Sequence, residues 1–270
     1  MFGVPGMTAA HGPVSVGQGV APPPGPPAGK GVLLRSLERH AGSPQQLAQQ
    51  AQAAGVSWVP ILTLWQYDQA PPSNAGAQMI GQAPPFAQKP MNQDLVPYVE
   101  ALNQVGIQPW LWGHPLARPD AVTVFVDVVG GLAMQCGAAG ILVEPRQSWV
   151  QQPGVETMAA NLIAQLRQKS GGRPVGVMSY SNPAQHPLPW GVFGQTADFG
   201  APWDPEDAAP DAAQAYAAQG FRTVVPVVGA EQNPPPAPSL LWWDWHELSQ
   251  KQRWGAVRNA QGAVIQQPSG

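Results

Sequence analysis

A single cysteine, Cys136, among 270 residues excludes an internal disulfide and any cysteine-built metal cluster. It lies in the apolar stretch 131–140, the setting of a buried structural thiol, so no redox chemistry is implied. Charge is also scarce. Charged residues make up 11% of the chain, against a usual share of roughly a quarter, so Gln, Ser, Asn and Pro must wet much of the surface. The formal net charge of −3 draws the chain neither to nucleic acid nor to an anionic membrane, and a neutral ligand suits it better. His11, His40, His114, His186 and His246 lack the i, i+4 spacing of helical zinc ligands, so no metal and no cofactor is expected. No phosphate-cradling glycine motif follows a strand, and Ser179 has no Gly-x-Ser-x-Gly elbow around it, which argues against a serine hydrolase. No apolar run reaches the roughly 18 residues that cross a bilayer, and the first residues lack the basic start and apolar run of a secretory signal.

Proline and glycine, by contrast, are abundant, at 33 and 30 residues. Many fall in 1–30, where the run Ala21-Pro22-Pro23-Pro24-Gly25-Pro26-Pro27 favours extended polyproline II and reads as a tether or docking arm for a protein assembly. From Gly31 short β-branched or aromatic runs alternate with Ala/Gln/Leu stretches, the pattern of βα units around a parallel sheet. Strand-type runs fall at 32–37, 58–65, 107–112, 140–144, 174–180, 197–203, 223–228 and 240–245. Helices are expected at 44–54, 93–105, 119–136, 156–170 and 210–219. The first has Ser43 as N-cap with Pro44 behind it; the third is weakened by the β-branched run 122–129. Only about two turns of helix fit between 187 and 195, and a proline loop at 231–238 replaces the helix expected after the seventh strand. The expectation is one irregular (β/α)8 TIM-type barrel over 31–260, with an arm at 1–30 and a tail at 261–270; a doubly wound open sheet is the alternative.

In such barrels the site lies at the C-terminal ends of the strands. The residues there are Arg35, Trp65 with Gln66 and Tyr67, Trp112 with His114, Glu144, Tyr180, Trp203 with Asp204, Glu231, and Trp243 with Asp244 and Trp245. Trp and Tyr stack on the apolar faces of sugar rings, and glycoside hydrolysis needs paired carboxylates; the competing reading makes these rings core packing. Glu144 ends the run Gly140-Ile141-Leu142-Val143-Glu144-Pro145. Partial burial among aromatics would raise its pKa towards that of a general acid; the alternative is a surface glutamate at a loop start or one paired with Arg146. For the second carboxylate Asp204 and Glu231 rank level and Asp244 third.

Three places resemble the glycoside-hydrolase barrel superfamily: Ala139-Gly140-Ile141-Leu142-Val143-Glu144-Pro145, Val177-Met178-Ser179-Tyr180-Ser181-Asn182-Pro183 with His186-Pro187 and Pro189-Trp190, and Leu240-Leu241-Trp242-Trp243-Asp244-Trp245. The resemblance spans about 230 residues, and the last two segments look like barrel proteins of bacteria and their phages. It implies an acid/base role for Glu144, the fourth-strand glutamate, and a nucleophile's place for Glu231. The implied partner is a cell-wall or surface polysaccharide, or peptidoglycan. Barrels of the largest retaining clan carry Asn before that glutamate; this chain has Val143. Two functions follow: a glycosidase with Arg35, Trp65, Tyr67, Trp112, His114, Tyr180, Trp203, Trp243, Asp244 and Trp245 lining its subsites, or a non-catalytic glycan-binding or structural barrel, for example in a phage virion or at a cell surface.

Overall fold

Apolar runs that are buried on both faces become parallel strands sheathed by helices. The computed structural model describes residues 26–39, 42–69, 76–81, 85–92, 94–203 and 211–260; most of the arm and the whole tail lie outside them. In chain order they form β1 (Gly29–Val32), α1 (Pro44–Ala53), β2 (Val56–Tyr67), β3 (Gln78–Ile80), β4 (Phe86–Pro90), α2 (Val96–Gln104) and β5 (Gln108–His114). Next come α3 (Pro119–Phe125), a π-helical turn (Val126–Gly130), α4 (Gly131–Cys136), β6 (Gly140–Val143), α5 (Val155–Lys169), β7 (Val175–Ser179) and α6 (Trp190–Thr196). The chain ends with β8 (Phe199–Pro202), α7 (Ala212–Ala218), β9 (Val227–Gly229), β10 (Ser239–Trp243), α8 (Trp245–Gln250) and α9 (Trp254–Asn259).

Eight strands run parallel in the order β8-β7-β6-β5-β2-β1-β10-β9. One parallel bridge, Gly200 to Val224, brings the ends together: Gly200 N donates to Thr223 O at 3.0 Å and Val225 N to Gly200 O at 2.8 Å. The architecture is a nearly closed TIM-type barrel with helices between the strands, as the alternation of runs implies.

Several boundaries differ from the sequence expectation, each for a local reason. The seventh run, expected at 223–228, is broken: Val224 bridges to β8, and the ladder to β10 begins only at Val227. Pro226 lies between them and has no N–H to donate. The first strand ends at Val32, with Leu34 making only an isolated bridge to Ile61. The last strand stops at Trp243 because Asp244 turns the chain into α8, its Oδ1 accepting from Glu247 N at 3.0 Å; Trp245 is therefore helical. β2 runs on to Tyr67, where β4 joins it antiparallel and β3 completes a hairpin that the sequence did not signal. Ser43 caps α1 with a reciprocal pair, Ser43 N to Gln46 Oε1 at 2.7 Å and Gln46 N to Ser43 Oγ at 3.3 Å.

The β-branched run at 122–129 is helical after all, but it widens into a π turn. Pro119–Cys136 thus forms an unbroken 18-residue helical stretch of mean hydropathy 1.2, which corrects the expectation that no segment is long and apolar enough to cross a bilayer. Here it packs Val122, Phe125, Val129 and Ala133 into the barrel's helical layer and carries Asp120 and Asp127, each ion-paired with a cation, Arg118 and Lys169.

The lumen is filled by rings. Trp58, Trp110 and Phe199 meet edge to face at centroid distances of 6.0, 6.3 and 5.6 Å. Each ring rests on a glycine of a neighbouring strand. A Cβ on Gly31 would stand 2.2 Å from Trp58, one on Gly140 2.5 Å from Trp110, and one on Gly176 2.2 Å from Phe199. Side-chain volume in this layer is therefore fixed by the absence of three methyl groups. Gly176→Ala and Gly140→Ala should each lower the unfolding free energy by about 1–3 kcal/mol through overpacking, whereas Gly191→Ala, with nothing within 4 Å of the new Cβ, should leave it unchanged or raise it; chemical denaturation of the three variants checks this.

Candidate functional site

Alternation along β6 aims Gly140 and Leu142 into the lumen, and Glu144 continues that face where the strand ends. Its N–H donates to Gly113 O at 2.8 Å, which holds it against the end of β5. The side chain is 1% exposed. Oε2 accepts from Trp112 Nε1 at 2.8 Å, and His114 Nε2 stands 2.9 Å from the same oxygen. That imidazole nitrogen is close enough for a charge contact, yet its N–H is too poorly aligned to count as a hydrogen bond. Oε1 accepts from Arg146 Nε at 2.7 Å, and Arg146 Nη2 also contacts it.

This setting reverses the acid expected from the sequence. Burial favours the neutral carboxyl, but the charges of His114 and Arg146 and the Arg146 hydrogen bond outweigh it and hold the pKa down at about 2. Glu144 is a buried, ionised carboxylate whose two oxygens are filled by donors. No carboxylate is among the groups that shift it.

The neighbours of this cluster form a chain of rings and charges along the strand ends. Cross-strand pairing sets Trp65 beside His114, and their rings stack at 3.7 Å and 12°. Tyr67, two residues further along β2, lies nearly parallel to Trp65 at 5.8 Å. Beyond Glu144 the Arg146 guanidinium lies 4.9 Å over the Tyr180 ring, and Tyr180 stacks on His186 at 3.7 Å. The buried Tyr216 hydroxyl lies 3.0 Å from Ser179 O and 2.9 Å from Tyr180 O, pinning the backbone that presents Tyr180. Arg146 and His186 were not among the residues assigned to the site from sequence; the signal for Arg146 was its position two residues past Glu144.

A second group lies towards β10. Trp203 stacks on Trp243 at 5.0 Å, Trp112 meets Trp243 edge-on at 5.9 Å, and the Arg35 guanidinium covers Trp243 at 5.2 Å. Asp244 is buried and spends Oδ1 on capping α8, leaving Oδ2 4.0 Å from Arg35 Nε. Trp112 and Trp203 are wall rather than face, 1% and 7% exposed. Trp245 packs against Trp254 beneath α8 and α9, at 4.6 Å.

Of the expected second carboxylates, Glu231 does not join Glu144. Glu231 is an exposed side chain paired with Lys251 at 3.1 Å, because the proline loop after β9 carries it outward. Asp204 lies outside the described residues. Beside Glu144 is a cleft of about 330 Å³ bordered by Trp65, Tyr67, Asp68, His114, Arg146 and Gln147. A larger one of about 640 Å³ opens instead on the side of Arg35, Met91, Asn92 and Asp244. Among the described residues no group of three or more His, Cys, Asp and Glu is placed to hold a metal ion.

Neither a protein-family model nor a curated protein matches the sequence. Solved structures do match the fold. The PgaB (BpsB) glycoside hydrolase domain from Bordetella bronchiseptica aligns at 13% identity over 88% of this chain and 100% of that one, with a TM-score of 0.56. A class V chitinase from Nicotiana tobaccum aligns at 12% identity over 75% of this chain with a TM-score of 0.52. The Bacillus cereus spore cortex-lytic enzyme SleL aligns at 9% over 75% with a TM-score of 0.51. The chain spans 66% of the length of the chitinase and 50% of that of SleL. At these identities the likeness establishes a shared barrel fold.

The depressed pKa of Glu144 has a pH signature. A carboxylate held below its ordinary value of 4.5 stabilises the fold above that pH, and the stabilisation is lost as pH falls towards 2. The shift corresponds to about 3 kcal/mol, since one pKa unit is worth about 1.4 kcal/mol. Glu144→Gln should therefore be less stable than wild type at pH 7, and the gap should shrink as the pH is lowered from about 5 to 2, as read from denaturation midpoints across that range.

Proposed function

We propose that this protein is a glycosidase-type barrel that binds a polysaccharide across its strand ends, with Glu144 acting as a fixed carboxylate that anchors Trp112, His114 and Arg146 rather than as a proton donor. The observation that carries this is the state of Glu144. A general acid must be protonated at working pH and must reach the glycosidic oxygen. At a pKa of about 2 the carboxyl group is almost entirely ionised at neutral pH, and Arg146 and Trp112 fill its oxygens. The rings beside it keep surface that can meet a sugar: Trp65, Tyr67 and Tyr180 are each half-buried.

The class of glycan is drawn from the neighbours in fold: a chitinase, of which a related solved complex holds NAG4, and a spore cortex-lytic enzyme. Both point to a polysaccharide containing N-acetylglucosamine, in chitin-like or peptidoglycan form. The Pro/Gly sequence of 1–30 suits a tether that carries the barrel to a larger assembly.

Purified cell walls and chitin, sedimented with the protein, measure binding; reducing ends released in the same tubes measure cleavage. Binding without release is expected, and Trp65→Ala should weaken it about tenfold, or about 1.4 kcal/mol. Release of reducing ends by the wild type that is abolished in Glu144→Gln would overturn the binding reading and establish a hydrolase in which Arg146 withdraws when substrate enters.

A further inference from the structure

Two clefts share Arg35, Ser36, Arg39 and His246 in their lining. The smaller one, of about 400 Å³, is completed by Leu34, by Gln50 of α1 and by Trp245, Ser249 and Gln250 of α8. The charges divide unevenly. Glu38, Asp94 and Asp244 border the larger cleft alongside Lys89, so it has no net sign, whereas no carboxylate borders the smaller one. Arg39 is exposed and makes no ion pair among the described residues. Arg35 is 44% exposed; among the described residues its ion pair is with Asp244 at 4.0 Å, and that carboxylate also serves the N-terminus of α8. In a chain with 13 basic residues and a net charge of −3, a cleft with two arginines and no acid departs from the molecule's own balance.

Guanidinium groups present planar, paired donors that match carboxylate and phosphate oxygens. We infer that the smaller cleft is an anion subsite: the sugar chain lies along the mouth and an acidic substituent, a carboxylate or a phosphate, projects between Arg35 and Arg39. The inference deepens the polysaccharide-binding reading and rests on it. It also alters the expectation from net charge, since the preferred glycan is acidic although the protein as a whole is acidic.

Calorimetric titration of the full chain with three ligands tests this: a neutral N-acetylglucosamine tetrasaccharide, a hyaluronan fragment in which uronates alternate with N-acetylglucosamine, and a glycerol phosphate polymer. At low salt at least one anionic ligand should bind about tenfold more tightly than the neutral one, and the advantage should fade between about 50 and 300 mM NaCl. The better of the two anionic ligands identifies carboxylate or phosphate as the source. Arg39→Gln, a change at an exposed side chain, should remove most of the advantage while leaving neutral binding as it was, which also shows the variant to be folded. Equal binding of all three ligands, or an anionic advantage that survives in Arg35→Gln/Arg39→Gln, overturns the anion subsite but leaves the polysaccharide reading standing. Binding of none of the three overturns both.

Discussion

The mutual packing of Trp58, Trp110 and Phe199 inside the strand circle is the constraint on which the rest of the structure depends. Three large rings at one level fit only because Gly31, Gly140 and Gly176 present no side chain to them. Glycine within a strand weakens it, by leaving nothing to pack and by freeing the unfolded backbone. Here that cost is offset by the area the indoles bury and by their edge-to-face contacts. The filled base holds the strands at their spacing, and above it the buried Trp112 and Trp203 lead up to the half-buried Trp243.

Glu144 lies on this platform, and its chemistry follows from what surrounds it. A carboxylate removed from water would become neutral if it stood alone. Trp112 and Arg146 supply hydrogen bonds and His114 a near charge, so the ionised form prevails. A buried ion cluster of this kind is sensitive to the loss of any one member, because the remaining charges are left without compensation. The same donors that keep the carboxylate ionised also occupy the lone pairs a substrate would need, and this separates the protein's chemistry from that suggested by its outline.

The strands were largely legible in the sequence because central parallel strands are apolar on both faces and bounded by turn residues; 107–112, 174–180 and 197–203 lie within a residue or two of β5, β7 and β8. The seventh and eighth runs were misjudged at single residues with backbone roles, Pro226 and Asp244, whose effects depend on which neighbour needs a hydrogen bond. The β3–β4 hairpin was not legible because its partner is the far end of β2, a tertiary match that local pattern does not encode. At the site the strand-end rule located Trp65, His114, Glu144 and Tyr180 correctly at the ends of their strands. The Glu144–Arg146 pair was kept there only as the alternative, so the carboxyl group was given the opposite protonation state. Glu231 was carried outward by prolines that had been recognised as a loop but not as a change of direction.

The wall closes at Gly200 through a single bridge to Val224, while each other pair of neighbours shares two or more register pairs. Across that seam Trp203 and Val225 both belong to the interior cluster of rings, so side chains hold the two sides together more than backbone bonds do. A barrel fastened in this way has a preferred line of parting: small changes in what fills the interior should be felt as a widening between β8 and β9 before any other pair of strands separates. The circumference is thus adjustable at one place, and the same chain could accommodate a different filling without rebuilding the other seven joints of the wall.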